Sequence, residues 1–445
     1  MFTRVLVANR GEIAVRVIRA LHELGIEAVA VYSTADAEAL HVRLADRAVC
    51  VGPPPAAESY LSIPSVVAAA ETTGCQAVHP GYGFLAERPD FVRACVDNDL
   101  VFVGPDAEVM ARMGDKVQAK LAMREAGVPL VPGTEGATTL AQARGLAPEI
   151  GFPLLLKAAA GGGGRGMRLV RSAEDLDGAF ATASAEADAA FGDGSLYVEK
   201  ALVPARHVEI QVLADADGGV LTLGERECSI QRRHQKLIEE SPSPALTPGL
   251  REEMEAAAEQ ACRATGYTNA GTLEFLLDPD RAFYFIELNA RLQVEHPVTE
   301  LVTGVDIVRE QLRVAAGKRL EATGRAPRRG HAIEIRINAE DPERSFAPSP
   351  GRIERLQAPN GPGVRLDTYV DTGATIPPHY DSLIAKLVVW DSDRPAAIAR
   401  ALRALGELEI EGIATTRDFA RDVLRSDAFA SGEYTTSYVD ELEPA

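Results

Sequence analysis

The sequence predicts a multidomain protein that joins a doubly wound α/β unit to units of α+β and mixed β-sheet structure. The chain of 445 residues is too long for one ordinary hydrophobic core, so two to four structural units are expected. Near the N-terminus, short apolar runs alternate with helical stretches, as in proteins built on a parallel sheet. In the rest of the chain, strand-like segments outnumber helical ones, which predicts sheets of a more mixed kind.

The first unit is expected over residues 1–113. Residues 4–8 (RVLVA) form an apolar run typical of a buried strand, and a helix is expected to begin at Gly11. Further strands are expected at 28–32, 77–79 and 101–104, with a helix at 64–72. Short apolar strands separated by helices predict a doubly wound parallel sheet.

The second unit is expected over residues 114–320 and includes a smaller insert at about 130–203, which begins near three turn-forming residues, Pro129, Pro132 and Gly133. Its mixture of strand and helix patterns predicts α+β structure. Strands are expected at 153–158, 167–171, 207–213, 220–224, 272–277 and 283–289, and helices at 116–126, 173–190 and 249–265.

A linker and a third unit complete the chain. The stretch 321–330 (EATGRAPRRG) mixes Gly, Pro and charged residues without periodicity and is the best candidate for a linker. Within 331–445, the segments IEIRINAE, VRLDTYV and LIAKLVVW are typical of strands, and 395–406 of a helix. A mixed β-sheet domain is expected here.

The composition narrows the class of protein. A formal charge of −19 argues against a nucleic-acid binder, which needs a basic surface against phosphates. The five cysteines form no CxxC pair, so reduced thiols are expected rather than a zinc site or a disulfide framework. The N-terminus lacks an apolar signal region, and no run approaches the roughly 18 apolar residues of a membrane span. We therefore expect a soluble cytoplasmic protein that binds no membrane.

The most informative segment is 283–295 (FYFIELNARLQVE), where five polar residues occupy every second position: Glu287, Asn289, Arg291, Gln293 and Glu295. In a strand these side chains would share one face, with a core face formed by Tyr284, Ile286, Leu288, Leu292 and Val294. A half-buried strand with one wet face would show the same alternation. The residue types favour a site, because they combine oxygen ligands for a hard cation with an Arg that can hold an anion. The alternation is expected to end before Gln293, where the strand turns into a loop.

A glycine-rich run, 158–167 (AAAGGGGRGM), formally satisfies the dinucleotide pattern GxGxxG. That pattern requires a helix after the glycines, whereas here two strand-like segments flank them. A hairpin whose amides cover phosphates is the better interpretation, and a merely flexible loop is the alternative. Lys157 directly before the glycines and Lys116 at the start of the second unit add two charges for a polyphosphate.

Further polar residues cluster in neighbouring strand candidates. His207, Glu209 and Gln211 alternate in one segment, and His234 and Lys236 lie in another, QRRHQK. Each has an ordinary alternative: a structural histidine, or a solvated basic loop.

One more carboxylate, Glu274, is expected beside Glu287, and here a structural salt bridge is the alternative. Carboxylate and amide oxygens favour Mg²⁺ or Mn²⁺ over Zn²⁺. Together these residues predict metal-assisted phosphoryl transfer from a nucleotide to an anionic oxygen nucleophile.

The chain also resembles a known family, biotin carboxylase, which is built on the ATP-grasp fold with a small glycine-flap subdomain. The motifs that carry the resemblance span nearly the whole chain in one order: VANRGEIAVRVIRA, HPGYGFLAE, GDK, GGGGRGM, RHVEIQVL, ERECSIQRRHQK, IELNARLQVEHPVTE, EIRINAEDP and PPHYDS. The resemblance implies ATP-dependent carboxylation of biotin N1′ by bicarbonate through carboxyphosphate. In the family this is the first half-reaction of acetyl-CoA or other acyl-CoA carboxylases, as in fatty acid biosynthesis.

The resemblance also implies roles for individual residues. The ATP contacts would be Lys116, Lys157, Gly163, Gly164, Glu199, Lys200, Leu202, His207, His234, Glu274 and Glu287. The metal ligands would be Glu274, Glu287 and Asn289. Lys236, Arg291 and Val294 would bind bicarbonate, with Glu295 as its general base. Arg336 would stabilise the ureido oxygen of biotin, so that Arg291, Glu295, Arg336 and Lys236 form the catalytic set.

Two features concern the flap and the partners. Ala159 and Ala160 stand where the family's glycine run usually begins with Ser-Gly, which restricts the backbone at the flap base. No MKM sequence of the kind that carries biotin occurs. We therefore expect biotin to arrive on a separate biotin carboxyl carrier protein, and a carboxyltransferase is expected as a further partner. Arg16, Arg19 and Glu23 share one face of the first helix and match a family contact, so a homodimer is expected, a solvated helix face being the alternative.

Two other functions compete with this one. Another ATP-grasp carboxylate ligase would share the nucleotide site, but Glu295 and Arg336 in their motifs argue against it. A non-catalytic nucleotide-binding regulator would be expected to have lost a lysine or a metal carboxylate, and none is lost.

Overall fold

The N-terminal unit contains a five-stranded parallel sheet with helices on both sides. The structure, a computed structural model, describes residues 1–134, 136–159 and 167–442. The strands of this unit are β1 (Arg4–Val7), β2 (Glu27–Ser33), β3 (Arg47–Gly52), β4 (Ala77–His79) and β5 (Val101–Phe102), and the helices are α1 (Gly11–Glu23), α2 (Leu40–Leu44), α3 (Ile63–Thr73), α4 (Pro89–Asp97) and α5 (Ala107–Gly114). The strand order β3-β2-β1-β4-β5 and the parallel pairing confirm the predicted doubly wound sheet.

The sequence explains this sheet directly. Residues Val5, Leu6 and Val7 are fully buried, because helices cover both faces of a parallel sheet and leave no face for polar side chains. Gly11 begins α1 with φ of +70°, a backbone conformation that strongly favours glycine. Strand β3 has only one buried residue, Val51, and the sequence pattern did not predict this strand.

The central unit carries the insert and most of a large antiparallel sheet. Its strands are β6 (Leu154–Ala158), β7 (Met167–Val170), β8 (Leu196–Lys200), β9 (Arg206–Ala214), β10 (Val220–Arg232), β11 (Gln235–Ser241), β12 (Asn269–Leu277) and β13 (Phe283–Asn289). Its helices are α6 (Lys116–Glu125), α7 (Leu140–Ile150), α8 (Leu176–Phe191), α9 (Pro248–Thr265), α10 (His296–Thr303) and α11 (Ile307–Ala315).

The insert is a small subdomain with its own core. Strands β7, β6 and β8 form an antiparallel sheet, and α7 and α8 pack on it through an apolar cluster that includes Leu154, Leu156 and Val198. Lys157 pairs with Met167, so the segments on either side of the glycine run form the predicted hairpin. The tip of this hairpin, which includes Ala160, Gly163 and Gly164, lies outside the described residues.

The C-terminal unit extends the same large sheet. Its strands are β14 (Gly324–Arg325), β15 (His331–Asn338), β16 (Glu340–Asp341), β17 (Ala347–Pro348), β18 (Gly351–Arg352), β19 (Arg355–Gln357), β20 (Val364–Thr368), β21 (Thr375–Ile376), β22 (Leu383–Asp391) and β23 (Glu409–Glu411). Its helices are α12 (Arg394–Glu407), α13 (Arg417–Arg425), α14 (Asp427–Ser431) and α15 (Tyr438–Leu442).

One sheet crosses the expected linker. Its strand order is β13-β12-β9-β10-β11-β15-β22-β20, with β14 paired to β10 at one side. The stretch 321–330 is therefore attached to the sheet rather than loose: β14 lies within it, and Arg328 donates a 2.6 Å hydrogen bond to Glu255. The division of the chain into domains at 113/114 and 320/331 stays a prediction.

The strand that was expected to carry the alternating polar residues is shorter and less regular than predicted. Strand β13 ends at Asn289, before Arg291. Its pairing with β12 contains a bulge in which Ile286 is the extra residue, because Glu274 pairs with Glu287 while Phe275 pairs with Phe285. The predicted core face was therefore partly wrong: Phe283 and Phe285 are buried, whereas Tyr284, Ile286 and Val294 are only half-buried.

The first helix also differs from the expectation of a polar outer face. Arg19 and Glu23 are exposed, but Arg16 is buried and its guanidinium contacts Glu300 at 2.9 Å and Asp306 at 2.6 Å. Both acids come from a distant part of the chain, so the helical period could not reveal them.

None of the described helices has the length and apolar character needed to cross a membrane.

Glu240 on β11 joins the sheet to the C-terminal helices. Its buried carboxylate accepts hydrogen bonds from His331 at 2.6 Å, Arg394 at 2.7 Å and the Tyr434 hydroxyl. Burial opposes ionisation, but His331 and Arg394 outweigh it and lower the pKa of Glu240 to about 2.

We predict that Glu240→Gln lowers the free energy of unfolding by about 3 kcal/mol, because it leaves the half-buried Arg394 guanidinium and the buried His331 ring without their carboxylate partner. The low pKa of Glu240 means that its contribution is complete above pH 4.5 and is lost as the pH falls toward 2. The difference between wild type and variant, measured by urea unfolding, should therefore shrink below pH 4.5. The exposed Glu253→Gln in α9 serves as the control, and an equally large loss there, or a loss independent of pH, would contradict the assignment.

Candidate active site

A large cavity lies where the three units meet. Its volume is about 1320 Å³, and it is lined by side chains from the N-terminal loops, the insert, the large sheet and the C-terminal unit. Almost every described residue predicted for the site lines it: Lys116, Lys157, Glu199, Lys200, Leu202, His207, His234, Lys236, Glu274, Glu287, Asn289, Arg291, Val294 and Arg336. Glu295 is fully buried in the wall behind them.

The Lys236 ammonium group is the centre of the polar wall. It contacts Oε2 of Glu209 at 2.6 Å, Oε1 of Glu295 at 2.6 Å and Oε1 of Glu274 at 3.1 Å. These carboxylates come from β9, the start of α10 and β12, so one lysine on β11 joins four parts of the central unit. Burial disfavours its charge, yet the surrounding acids raise the pKa of Lys236 well above its ordinary value.

A second buried cation, Arg226 on β10, contacts Glu209 of the same cluster. Its side chain is completely buried and donates to Glu209 at 2.5 Å, to Gln211 at 2.8 Å and to the Thr299 hydroxyl at 3.0 Å. Burial raises the pKa of Glu209 even though Arg226 and Lys236 oppose the shift. Arg226 was not predicted from the sequence; its one available signal was an arginine in the middle of an otherwise buried strand.

Glu295 is held between two cations. Its Oε1 contacts Lys236, and its Oε2 accepts a 3.0 Å hydrogen bond from Arg336. Burial acts to raise the pKa of Glu295, but Lys236, Arg336 and Arg226 outweigh it and hold the pKa well below the ordinary value. The carboxylate is therefore ionised at neutral pH and able to accept a proton.

Arg291 lies at the other side of the same wall. Its guanidinium contacts Glu87 at 2.9 Å, the Gln293 side-chain oxygen at 3.0 Å and the Asn289 side-chain oxygen at 3.0 Å. Because β13 ends at Asn289, the chain turns and brings Arg291 and Glu295 to one site, which a straight strand would not do. Glu87 fixes Arg291 from the N-terminal unit and was missed, although it ends the motif HPGYGFLAE.

The two strand carboxylates predicted as metal ligands are direct neighbours. Glu274 and Glu287 pair across β12 and β13, and the Asn289 amide donates to Glu274 at 2.9 Å. Burial and the charge of Glu274 raise the pKa of Glu287, so a divalent cation between the two acids would relieve an unfavourable arrangement. These oxygen donors fit Mg²⁺ or Mn²⁺.

A second group of possible metal ligands, which shares Glu274 with the first, is completely made of buried residues. Donor atoms of His207, Glu209 and Glu274 lie within 4.8 Å of one another, and His207 Nε2 lies 2.9 Å from Glu274. The Lys236 ammonium already contacts both glutamates of this cluster. That cluster therefore already contains a cation, which leaves the Glu287 side of Glu274 as the candidate position for a metal.

The insert supplies a second group of cations. Lys157 Nζ contacts Glu199 at 2.5 Å, and Lys120, one helical turn after Lys116, contacts the other oxygen of Glu199. Burial and the nearby Lys157 ammonium lower the pKa of Lys116, so an anion at this end of the cavity would be stabilised. Lys120 was not predicted from the sequence, although its i, i+4 spacing from Lys116 was a signal.

The remaining predicted residues differ in how closely they approach the cluster. His234 lies in the turn between β10 and β11 with φ of +64° and is exposed to the cavity. The Lys200 ammonium donates to the backbone oxygens of Gly151 at 3.0 Å and Phe152 at 2.8 Å. The backbone oxygen of Val294 accepts a 2.8 Å hydrogen bond from the buried Lys386, another residue that the sequence did not reveal.

The cavity is lined by two groups of cations and by the carboxylates of Glu274 and Glu287. Lysines from the insert and from α6 face one end of the cavity, and Lys236, Arg291 and Arg336 surround a buried carboxylate at the other. A polyphosphate fits the first region, and a small anion that must lose a proton fits the second.

Comparisons with known proteins agree over the whole chain. Residues 1–110 match the biotin carboxylase N-terminal domain, 115–323 the ATP-binding domain of the carbamoyl-phosphate synthase L chain, and 334–441 the biotin carboxylase C-terminal domain. A biotin carboxylase of Nostoc sp. is 54% identical over 99% of both chains. One of the pyruvate carboxylase subunits of Methanothermobacter thermautotrophicus is 52% identical over 99% of this chain and 90% of that one.

Solved structures show the same similarity. A biotin carboxylase–beta-gamma-ATP complex from Campylobacter jejuni has a TM-score of 0.95 and 47% identity, covering 99% of each chain. The biotin carboxylase domain dimer of Hydrogenobacter thermophilus 2-oxoglutarate carboxylase, in complex with MgADP, ADP and bicarbonate, has a TM-score of 0.93 and 47% identity, covering 100% of this chain and 99% of that one.

Fold and site thus define an ATP-dependent ligase with an ATP-grasp domain. The chain belongs to the biotin carboxylase family, whose enzymes use ATP and Mg²⁺ to carboxylate biotin.

We predict that Arg226→Met lowers the free energy of unfolding by about 3–5 kcal/mol, because it leaves Glu209 buried with one cation fewer. Without Arg226, the pKa of Glu209 should rise further above its unfolded value, so the loss should grow as the pH increases above 4.5. Urea unfolding at pH 5 and pH 8 measures both effects. The exposed Arg263→Met in α9 is the control, expected to change stability by less than about 1 kcal/mol; a loss from Arg226→Met that is no larger at pH 8 would contradict this account.

Proposed function

We propose that this protein carboxylates biotin with ATP and bicarbonate through carboxyphosphate, with Glu295 as the base. The observation that carries the proposal is the contact of Glu295 with both Lys236 and Arg336 at the wall of the cavity. Bicarbonate is a poor nucleophile until it loses its proton, and a positioned, ionised carboxylate can take that proton. The same cations that hold Glu295 can then stabilise the anion that forms.

In the structure, the neighbouring cations hold the pKa of Glu295 well below its ordinary value, so its carboxylate is a weak base. Binding of bicarbonate would raise this pKa by drawing one of the cations away. We propose that bound bicarbonate attracts Lys236 and Arg291, with the Val294 backbone beside it. As Lys236 turns from Glu295 to the substrate, the carboxylate loses part of its stabilisation and becomes a stronger base. The bicarbonate oxygen then attacks the γ-phosphorus of ATP, and ADP leaves.

ATP is proposed to lie between the insert and the large sheet. Lys116 and Lys157 would contact its phosphates, together with His207, His234 and the amides of Gly163 and Gly164. Glu199, Lys200 and Leu202 would form the nucleotide pocket on the insert side, where they line the cavity. Glu274, Glu287 and Asn289 would hold Mg²⁺ or Mn²⁺, which offsets the charge of the phosphates when it is bound.

Biotin is proposed to enter from the C-terminal side, where Arg336 would bind its ureido oxygen in the deprotonated form. The phosphate released from carboxyphosphate would accept the N1′ proton, and N1′ would form its new bond to the carboxyl carbon. We propose that biotin arrives on a separate carrier protein and that a carboxyltransferase takes the carboxyl group onward. A homodimer that uses Arg19 and Glu23 is also proposed, supported by their exposure and by the dimer reported for the Hydrogenobacter relative. The final acceptor differs among relatives, which include one of the pyruvate carboxylase subunits.

We expect ADP release to depend on free biotin when the protein is supplied with ATP, Mg²⁺ and bicarbonate. The experiment measures ADP by a coupled assay and carboxybiotin with labelled bicarbonate in the same samples. ADP formation that ignores biotin, with no carboxybiotin, would contradict the proposal.

We expect Glu295→Gln to lower turnover by roughly 10² to 10⁴, because it removes the base and keeps the size of the side chain. ATP affinity, measured by calorimetry, should stay near the wild-type value. Glu87→Gln, which alters the support of Arg291 but not the base, is the matched control and should lose much less turnover. A parallel loss of ATP affinity in Glu295→Gln would place this residue in the nucleotide site instead.

A further inference from the structure

Three carboxylate oxygens on the face of the sheet beside α10 are buried without a hydrogen-bond donor among the described residues. They are Oε2 of Glu239 and both oxygens of Glu334, and both residues are completely buried. Glu239 and Glu334 are direct neighbours across the antiparallel pair of β11 and β15. Side chains at such positions share one face and lie about 5 Å apart at their Cβ atoms.

The neighbouring cations do not pair with Glu334. Arg336, two residues farther along β15, directs its guanidinium to Oε1 of Glu239 at 2.6 Å and to Oε2 of Glu295 at 3.0 Å. Lys386 on β22 faces Glu334, but its ammonium donates to the Val294 oxygen at 2.8 Å and lies 3.1 Å from Glu12.

The environment of Glu334 strongly disfavours a second negative charge. Val298 and Val302 of α10 form an apolar cluster with Ala332 and Val388, the two residues that flank Glu334 along and across its face of the sheet. Among the described residues, the charged groups that act most strongly on Glu334 are Lys386, Glu239, Arg336 and Glu295.

These groups determine where a proton would reside. Burial raises the pKa of Glu334 well above its ordinary value despite the charge of Lys386. Burial likewise raises the pKa of Glu239 to about 7, although Arg336 opposes the shift. Two neighbouring carboxyl groups of this kind are most stable when they share one proton, because a carboxylic acid supplies the donor that the unpaired oxygens lack.

We propose that Glu334 is a positioning residue for the reaction: it carries a proton at neutral pH and donates it to Oε2 of Glu239. That hydrogen bond fixes Glu239 so that its other oxygen holds Arg336, and Arg336 in turn contacts the base Glu295. The shared proton also limits the pair to one negative charge, so that Arg336 is not over-neutralised and can bind a further anion. This inference rests on the proposed role of Arg336 toward the ureido oxygen of biotin.

The pair also makes the reaction sensitive to high pH. As the pH rises and the shared proton is lost, the pair gains a second negative charge beside Arg336. Arg336 is then held more tightly by its own neighbours and stabilises a substrate anion less well. The value of kcat/KM for biotin should therefore fall on the alkaline side, whereas ATP binding at the other end of the cavity should not change.

Two variants and two measurements test this inference. Glu334→Gln keeps a donor and a neutral side chain, and Glu334→Leu removes the donor. We expect Glu334→Gln to retain activity within about threefold at neutral pH and to lose the alkaline decrease that the pair causes. Glu334→Leu should lower kcat/KM for biotin at least tenfold while its ATP affinity stays near wild type. Equal activity of the two variants, or an unchanged alkaline decrease in Glu334→Gln, would overturn the inference.

The second measurement is independent of activity. Infrared spectra in D₂O report the C=O stretch of a protonated carboxyl group, and the wild type should show a band that is absent from Glu334→Gln. The control Glu253→Gln, which removes an exposed carboxylate, should leave that band unchanged. No difference between wild type and Glu334→Gln would overturn the assignment even if Glu334→Leu did not fold. Failure of the proposed function would instead appear as wild-type protein without biotin-dependent ADP release.

Discussion

The burial of the Lys236 ammonium among three carboxylates is the constraint on which the site depends. A buried charge is tolerated only when partners replace its hydration, and here Glu209, Glu274 and Glu295 do so within 3.1 Å. Those partners come from separate strands and from the start of a helix, so the sheet must be complete before the site exists. Arg226 supplies a second cation, which offsets the electrostatic repulsion among these carboxylates.

Such a network explains how a chain with a net charge of −19 can bind anions. Its acids are concentrated with cations in the wall, and the cations at both ends of the cavity provide the local field that matters for a bound phosphate or bicarbonate. Partial neutralisation in the resting state also leaves each cation able to exchange a protein carboxylate for a substrate anion. Before substrate binds, Glu295 is therefore ionised and the cations of the site are already in place.

Local patterns in the sequence predicted much of this architecture. Apolar runs separated by helices predicted the parallel sheet, and the two segments around the glycines predicted the hairpin of β6 and β7. The residues of the polar wall were identified because polar types recur at strand spacing and in family motifs. Contacts between distant segments were not visible: Arg226, Glu239 and Lys386 act through partners brought beside them by sheet register. The bulge at Ile286 and the inward direction of Arg16 depend on the same long-range packing.

The central claim is that bound bicarbonate forms contacts with Lys236 and Arg291 in place of their carboxylate partners. The loss of the Lys236 contact would then raise the basicity of Glu295. A crystal structure of this protein with MgADP and bicarbonate tests it most directly. We expect bicarbonate oxygens within about 3 Å of the Lys236 ammonium and the Arg291 guanidinium, with a Glu295 oxygen at hydrogen-bond distance from the anion. Bicarbonate bound elsewhere, with Glu295 still paired to Lys236 and no carboxylate oxygen within about 4 Å of the anion, would contradict it.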